Sequence, residues 1–208
     1  MSKVEKPMQA LANFLPEGSF EPVVTYIHQF KVHLTVTKKR KTILGDYRHA
    51  GISGNHKISI NGNLNKYEFL ITLLHEIAHL LTYEQFKNKV EPHGKEWKYF
   101  YSNLLQDFVQ RKIFPVDIEI VLQKYILNPA ATANGETSLL LVLRKYNTIK
   151  REGYVTIEHL PLHTVFIVDK GKVFKKGNKR RKLYECIEIA TGRVYLFNPL
   201  AEVKIINT

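Results

Sequence analysis

The sequence predicts an α+β fold, with helices packed around a small three-stranded sheet and a small antiparallel β-rich module at the C-terminal end. Two observations carry this. Apolar residues recur at helical spacing through most of the first 130 positions but give way to strand-like alternation between Val32 and Ile60. Beyond Val155 the chain becomes a series of short β-branched and aromatic segments punctuated by glycine. With 208 residues, 44% of them apolar, there is enough material for one sizeable core and an appendage.

In chain order, Met8, Leu11, Ala12 and Leu15 have helical spacing, closed off by Pro16 and Gly18, and a second short helix is predicted from about Pro22 to Phe30. Val32, Leu34 and Val36 alternate with polar neighbours, as in a half-buried strand. The basic cluster Lys38 to Lys41 leads to a second strand around Ile43 to Arg48. After a turn at 51–55, Ile58 and Ile60 share one face of a third. Asn65 is a good helix N-cap with Glu68 three places on, and Lys66 to Phe86 runs without proline or glycine, which predicts the longest helix. Pro92 and Gly94 interrupt it. A further helix is predicted from Lys95 to about Lys112, striped by Trp97, Phe100, Tyr101, Leu104, Leu105 and Phe108, and another follows Pro115 through Tyr125. Residues 128–136 are small and turn-forming and set the expected boundary between a domain at 1–130 and a module at 137–208. After a short helix at Ser138 to Tyr146, strands are predicted near Val155, Val165, Lys172 to Lys175, Leu183 to Ile189, Arg193 to Phe197 and Val203, with Gly171, Gly177 and Gly192 between them.

Lys and Arg number 31 against 19 Asp and Glu, a formal net charge of +12. That balance favours a polyanionic partner, nucleic acid ahead of an anionic membrane surface. The single cysteine, Cys186, excludes an intrachain disulfide framework and a zinc ribbon built from two Cys-x-x-Cys pairs. It fits a reducing cytoplasm. No apolar run reaches the ~18 residues that span a bilayer, and the first residues lack the apolar core and cleavage site of a secretory signal. The expected location is therefore cytoplasmic, with no membrane partner.

The chemistry lies in the long helix, where His75-Glu76-Ile77-Ala78-His79 reads His-Glu-x-x-His. Four residues make about one turn, so both imidazoles leave the same face and can share one metal ion, with Glu76 beside it. A catalytic zinc takes three protein ligands and keeps one position open. His93 is the choice for the third, since the loop from Phe86 to Pro92 lets the chain return to the first helix, and Glu91 and Glu96 compete for the role. The predicted chemistry is peptide hydrolysis, with one zinc per chain as Lewis acid and Glu76 as the base. No residue stands out as an oxyanion donor: Tyr67, Tyr83 and His56 are candidates, but each reads first as a structural or surface residue.

Thr42 through Leu44-Gly45-Asp46-Tyr47-Arg48, then His56-Lys57-Ile58-Ser59-Ile60-Asn61, Leu64-Asn65, Phe69 through His79 and His93-Gly94-Lys95-Glu96-Trp97 together resemble the SprT-like metallopeptidase domain, which includes the Spartan proteases. The likeness covers about residues 20–125. It implies a zincin-like fold, zinc at His75, His79 and His93, Glu76 as base, and action on DNA-bound or DNA-crosslinked proteins. Many members of that family continue into a Cys-rich zinc ribbon. This chain does not, so its tail is either a ribbon-like sheet without metal or an unrelated β module. The rival reading is a zinc-containing regulatory protein associated with nucleic acid and lacking proteolysis.

From Lys170 to Lys182 the tail carries eight Lys and Arg and no acid. A β-hairpin of that composition predicts DNA contact through Lys172, Lys175, Lys176, Lys179, Arg180, Arg181 and Lys182, with Phe174 or Tyr184 available to stack on unpaired bases. The alternative is a solvated hairpin whose charges only prevent edge aggregation.

Overall fold

The computed structural model describes residues 7–40, 42–51, 54–131, 137–148, 151–168 and 171–206. Lys41 and Lys170, both counted in the basic clusters, lie outside the described residues, as do parts of the turns at 51–55 and 128–136. The chain divides into two compact units, 1–147 and 148–208.

The first unit opens with a 3-10 helix, Met8–Phe14, and α1, Phe20–Gln29. Three strands follow: β1 (Val32–Thr37), β2 (Gly45–Arg48) and β3 (His56–Asn61). Their order in the sheet is β1-β3-β2, with β1 parallel and β2 antiparallel to β3. Four helices complete the unit: α2 (Lys66–Phe86), α3 (Lys95–Gln110), α4 (Val116–Ile126) and α5 (Thr137–Arg144). The helix expected at Ser138 to Tyr146 thus exists but belongs to the first unit, where it packs on α4. The division accordingly falls after Asn147, beyond the stretch of small residues that signalled it in the sequence.

Helix α2 is the axis of this unit. Its N-cap forms as the spacing predicts, Glu68 N–H donating to Asn65 Oδ1 at 3.0 Å. Phe69, Leu70, Leu73, Leu74 and Ala78 are fully buried and Ile71, Ile77 and Leu80 nearly so, so apolar side chains leave the helix on several faces. A helix apolar on several sides is stable only with neighbours on several sides, and α3, β2, β3 and the 3-10 helix supply them. Each such Leu or Phe contributes about 1.5–3 kcal/mol through burial. Helix α3, by contrast, is amphipathic: Trp97, Tyr101, Leu104, Leu105 and Phe108 line one buried face, and Tyr101 Oη donates to Ile71 O at 3.3 Å.

The second unit is antiparallel. Strands β4 (Tyr154–Thr156), β5 (Val165–Ile167), β6 (Val173–Arg180), β7 (Leu183–Glu188), β8 (Val194–Phe197) and β9 (Glu202–Ile205) form one sheet in the order β4-β9-β5-β6-β7-β8. Its core is Ile157, Leu160, Phe166, Phe174, Tyr184, Cys186 and Val203. Cys186 is fully buried there and acts as a small apolar residue. Gly177, expected between strands, lies inside β6, where the pairing with β7 shifts register between Lys176 and Lys179. A Cβ at Gly177 would stand 2.7 Å from Glu185 O, so the bulge brings two backbones too close for any side chain.

Candidate metal centre

His75 and His79 leave α2 one turn apart, and the turn that follows brings His93 to them. Gly94 N–H donates to Glu91 O at 2.9 Å, closing a four-residue turn. Pro92 occupies its second position and His93 its third, at φ 76°. That is the pattern of a type II turn, in which the second position suits proline and the third must be left-handed. A side chain held there instead of glycine costs about 1–2 kcal/mol, and the turn sets the His93 ring against those of His75 and His79 on α2.

One nitrogen from each of His75, His79 and His93 lies within 4.8 Å of the other two, and this trio can hold a metal ion. His75 Nε2 and His93 Nε2 are 3.3 Å apart. Two nitrogens bound to one tetrahedral zinc at ~2.0–2.1 Å are separated by about 3.3 Å, so this pair already has the spacing the ion needs. Burial pushes the His75 imidazole down to about 3 and His79 down to about 4, with the neighbouring histidines adding to the effect, and it lowers His93 as well. All three are therefore neutral near pH 7, the state in which imidazole donates to a metal. Trp97, fully buried, packs against each of the three rings, with centroids 4.7, 5.4 and 4.7 Å away. Among the described residues, His75 Nδ1 is buried without a hydrogen-bond partner. Contact with Trp97 and Tyr101 therefore orients this ring, in place of the usual hydrogen bond from the second nitrogen. Neither Glu91 nor Glu96 joins the cluster among the described residues, and Glu96 lies near Lys95 at 3.9 Å.

Glu76 is 6% exposed. Burial pushes its carboxyl up to about 8, with Asp46 reinforcing and Arg40 opposing the shift. A cation held at the neighbouring histidines would draw it back down. The backbone of β2 lies directly over this side chain: a Cβ at Gly45 would stand 2.9 Å from both Glu76 Cγ and Thr72 Cγ2. Arg40 locks the same end of the sheet through Asn61 Oδ1 at 2.7 Å and Ser59 Oγ at 2.9 Å.

A cleft of about 720 Å³ opens beside the histidines, with His79, His93 and Trp97 in its wall and Tyr47, His49, Tyr83, Val90 and Pro92 along its sides. The Tyr47 ring lies parallel to His79, with centroids 6.4 Å apart. Its hydroxyl donates to His56 Nδ1 at 2.9 Å, and His56 Nε2 is 3.3 Å from Glu84 Oε1. Among the candidate oxyanion donors, Tyr83 faces the cleft, stacked on His49 at 4.5 Å. Tyr67 packs against Phe114 and Tyr146, and His56 is buried. Sequence reasoning gave Gly45 and Tyr47 no role. A lone glycine inside a strand was the available sign of a close backbone approach.

In the second unit the seven cations predicted to meet DNA behave differently from one another. Lys176 is 3% exposed, its ammonium donating to Leu160 O and lying 4.1 Å from the Tyr184 ring centroid, so it faces the core and is withdrawn from any phosphate. Lys172 pairs with Glu188 at 2.8 Å, Lys179 with Glu158 at 3.0 Å and Arg180 with Glu185 at 3.4 Å. Lys175, Arg181 and Lys182 are exposed. Phe174 and Tyr184 are core residues and offer bases no stacking surface. Among the described residues no helix is long and apolar enough to cross a membrane.

A model of the SprT-like family matches residues 10–118. Protein SprT of Proteus mirabilis is 29% identical over 155 residues, covering 73% of this chain and 80% of that protein. Protein SprT of Glaesserella parasuis is 38% identical over 82 residues, 36% of this chain and 51% of its own. No solved structure matches.

Proposed function

The chain belongs to the SprT-like family, and from that premise we propose that it is a zinc-dependent endopeptidase in which His75, His79 and His93 hold the metal and Glu76 is the general base. The observation that carries this reading is the convergence of three imidazoles beside an open cleft, with a carboxyl group buried on the same helix turn. A zinc ion bound there supplies Lewis acidity at the scissile carbonyl. Glu76, held under β2, would accept a proton from the attacking water and return it to the leaving nitrogen. The cleft walls around Tyr47, Tyr83 and Val90 receive the polypeptide. A metal serving structure alone would have no use for a buried carboxylate at this position.

Proteins held on nucleic acid are the proposed substrates. The hairpin of β6 and β7 supports this, since Lys175, Arg181 and Lys182 are exposed and, among the described residues, take no part in the ion pairs that hold Lys172, Lys179 and Arg180. The zincin-like and cytoplasmic assignments belong to the same proposal.

The test is metal content and turnover measured together on the full chain. Wild type should hold about one zinc, His93→Ala should lose most of it, and Glu76→Gln should keep the metal while losing at least about 100-fold in cleavage of a DNA-bound protein. Unchanged turnover in Glu76→Gln would remove the enzyme assignment.

A further inference from the structure

Strands β7 and β8 turn Tyr184, Tyr195 and Phe197 inward and leave aliphatic residues outside, with Glu185 among them opposite Leu196. Along β7, Tyr184, Cys186 and Glu188 are buried, so the alternate residue Ile187 faces out. Along β8, Tyr195 and Phe197 pack on the core, so Val194 and Leu196 face out. Ile187 stands opposite Val194 in the pairing of the two strands. These three residues are 45%, 60% and 55% exposed, and Ile189, just past β7, is 55% exposed. Among the described residues β8 pairs with β7 alone, so its other side offers unpaired backbone donors and acceptors. Free edges are commonly guarded by charge or proline. This one, Val-Tyr-Leu-Phe, has neither within the strand, with Arg193 just before it and Pro199 two residues past its end.

We propose that β8 is a docking edge for an extended segment of a partner protein, one with aliphatic residues at alternate positions and an acidic residue placed to meet Arg193. Pairing along the edge would satisfy the backbone groups of β8, and the alternate side chains of the incoming strand would cover Val194 and Leu196, as strand addition generally does. Charge selects the partner. Residues 148–208 hold twelve Lys and Arg against six Asp and Glu, so an acidic segment is attracted and a second copy of this chain is repelled. Arg193, exposed at the start of β8, supplies the local cation. Nucleic acid suits the strip poorly, because Phe174 and Tyr184 are core residues and Tyr195 and Phe197 pack against that core, on the face away from Val194 and Leu196. A bilayer suits it poorly too, because hydrocarbon cannot satisfy an open sheet edge.

Selection of random dodecapeptides displayed against the full chain tests this, with the double variant Val194→Asp, Leu196→Asp as counter-selection. Both positions are exposed, and far-UV circular dichroism checks that the variant keeps its sheet. The expected enrichment is aliphatic-x-aliphatic flanked by Asp or Glu. The synthetic consensus peptide should bind Leu196→Asp at least tenfold more weakly and Arg193→Gln several-fold more weakly, and methylation of alternate peptide amides should abolish binding. Ile187→Thr provides a milder second variant. The proposal is overturned if no sequence is enriched over the double variant, or if the peptide binds Leu196→Asp as well as wild type. It is also overturned if Leu196→Asp instead abolishes self-association in sedimentation, flotation with anionic vesicles, or binding of a single-stranded oligonucleotide.

Discussion

Gly45 sets the tightest constraint on the site. Its backbone stands where any side chain would strike Glu76 Cγ and Thr72 Cγ2 at 2.9 Å, so Gly45→Ala must displace either β2 or the carboxylate. Overpacking of this kind costs about 1–3 kcal/mol, read as a lower urea midpoint. Because Glu76 is not among the three clustered histidines, metal stoichiometry should stay unchanged while peptidase turnover falls further than stability alone explains. Wild-type turnover in a folded Gly45→Ala protein would mean that β2 yields and Glu76 keeps its place. Tyr47 gives a milder case. Tyr47→Phe removes the donor to His56 Nδ1 at a cost of about 1 kcal/mol, measurable in the same titration. At this scale the sequence was half legible. His75 and His79 could be placed on one face because four residues make about one helix turn, and His93 was reached from the loop between Phe86 and Pro92 together with the family likeness. The closeness of Gly45 to Glu76 was not legible, because it depends on which edge of the sheet meets α2, and strand order is a long-range property.

At the scale of elements, α2 shows what local rules capture. Its start is fixed by Asn65, whose side-chain oxygen caps the helix while Nδ2 donates to Leu143 O at 2.9 Å and Asn147 Oδ1 at 2.8 Å. One residue thus starts one helix and ties down the end of another. Asn65→Asp keeps the cap acceptor and loses the donor, whereas Asn65→Ala loses both. The Ala variant is expected to cost about 2 kcal/mol, a cap and a buried hydrogen bond together, and the Asp variant less. Equal losses in urea unfolding would mean that the anionic oxygen set against Leu143 O and Asn147 Oδ1 costs as much as the cap returns. The hairpin of β6 and β7 shows what composition hides. Eight cations in a run look equivalent in sequence, yet alternation along β6 sends Lys176 to the core and Lys175 to solvent, and the register shift at Gly177 decides which later residues follow. For nucleic-acid binding, Lys175→Gln, Arg181→Gln and Lys182→Gln together should reduce the slope of log K against log salt by about 3 for duplex DNA. Lys176→Met should leave it unchanged. A slope that responds to Lys176 but not to the other three would refute this division.

For the whole molecule, the two units rest on separate supports. The first encloses the histidine cluster, and the second has its own buried core built from Phe166, Phe174, Cys186 and their neighbours. The boundary was displaced in the sequence reading because α5 follows a stretch of turn-forming residues yet packs back on α4, a contact that no local pattern announces. A metal that binds only the folded first unit stabilises that unit alone, by about 2.7 kcal/mol when free metal is 100 times its dissociation constant. For a unit of this size that corresponds to a shift of about 5–10 °C in its melting temperature. The single tryptophan, Trp97, touches all three histidine rings and therefore reports on the first unit only. Chelation should lower the melting transition seen by tryptophan fluorescence by that amount. A second transition, visible in far-UV circular dichroism but silent in fluorescence, should stay where it was. If both signals fall together on chelation, the units unfold as one and the metal stabilises the whole chain. If neither moves, the cluster of His75, His79 and His93 holds no metal that matters to folding, and the case for a bound ion must stand on stoichiometry alone.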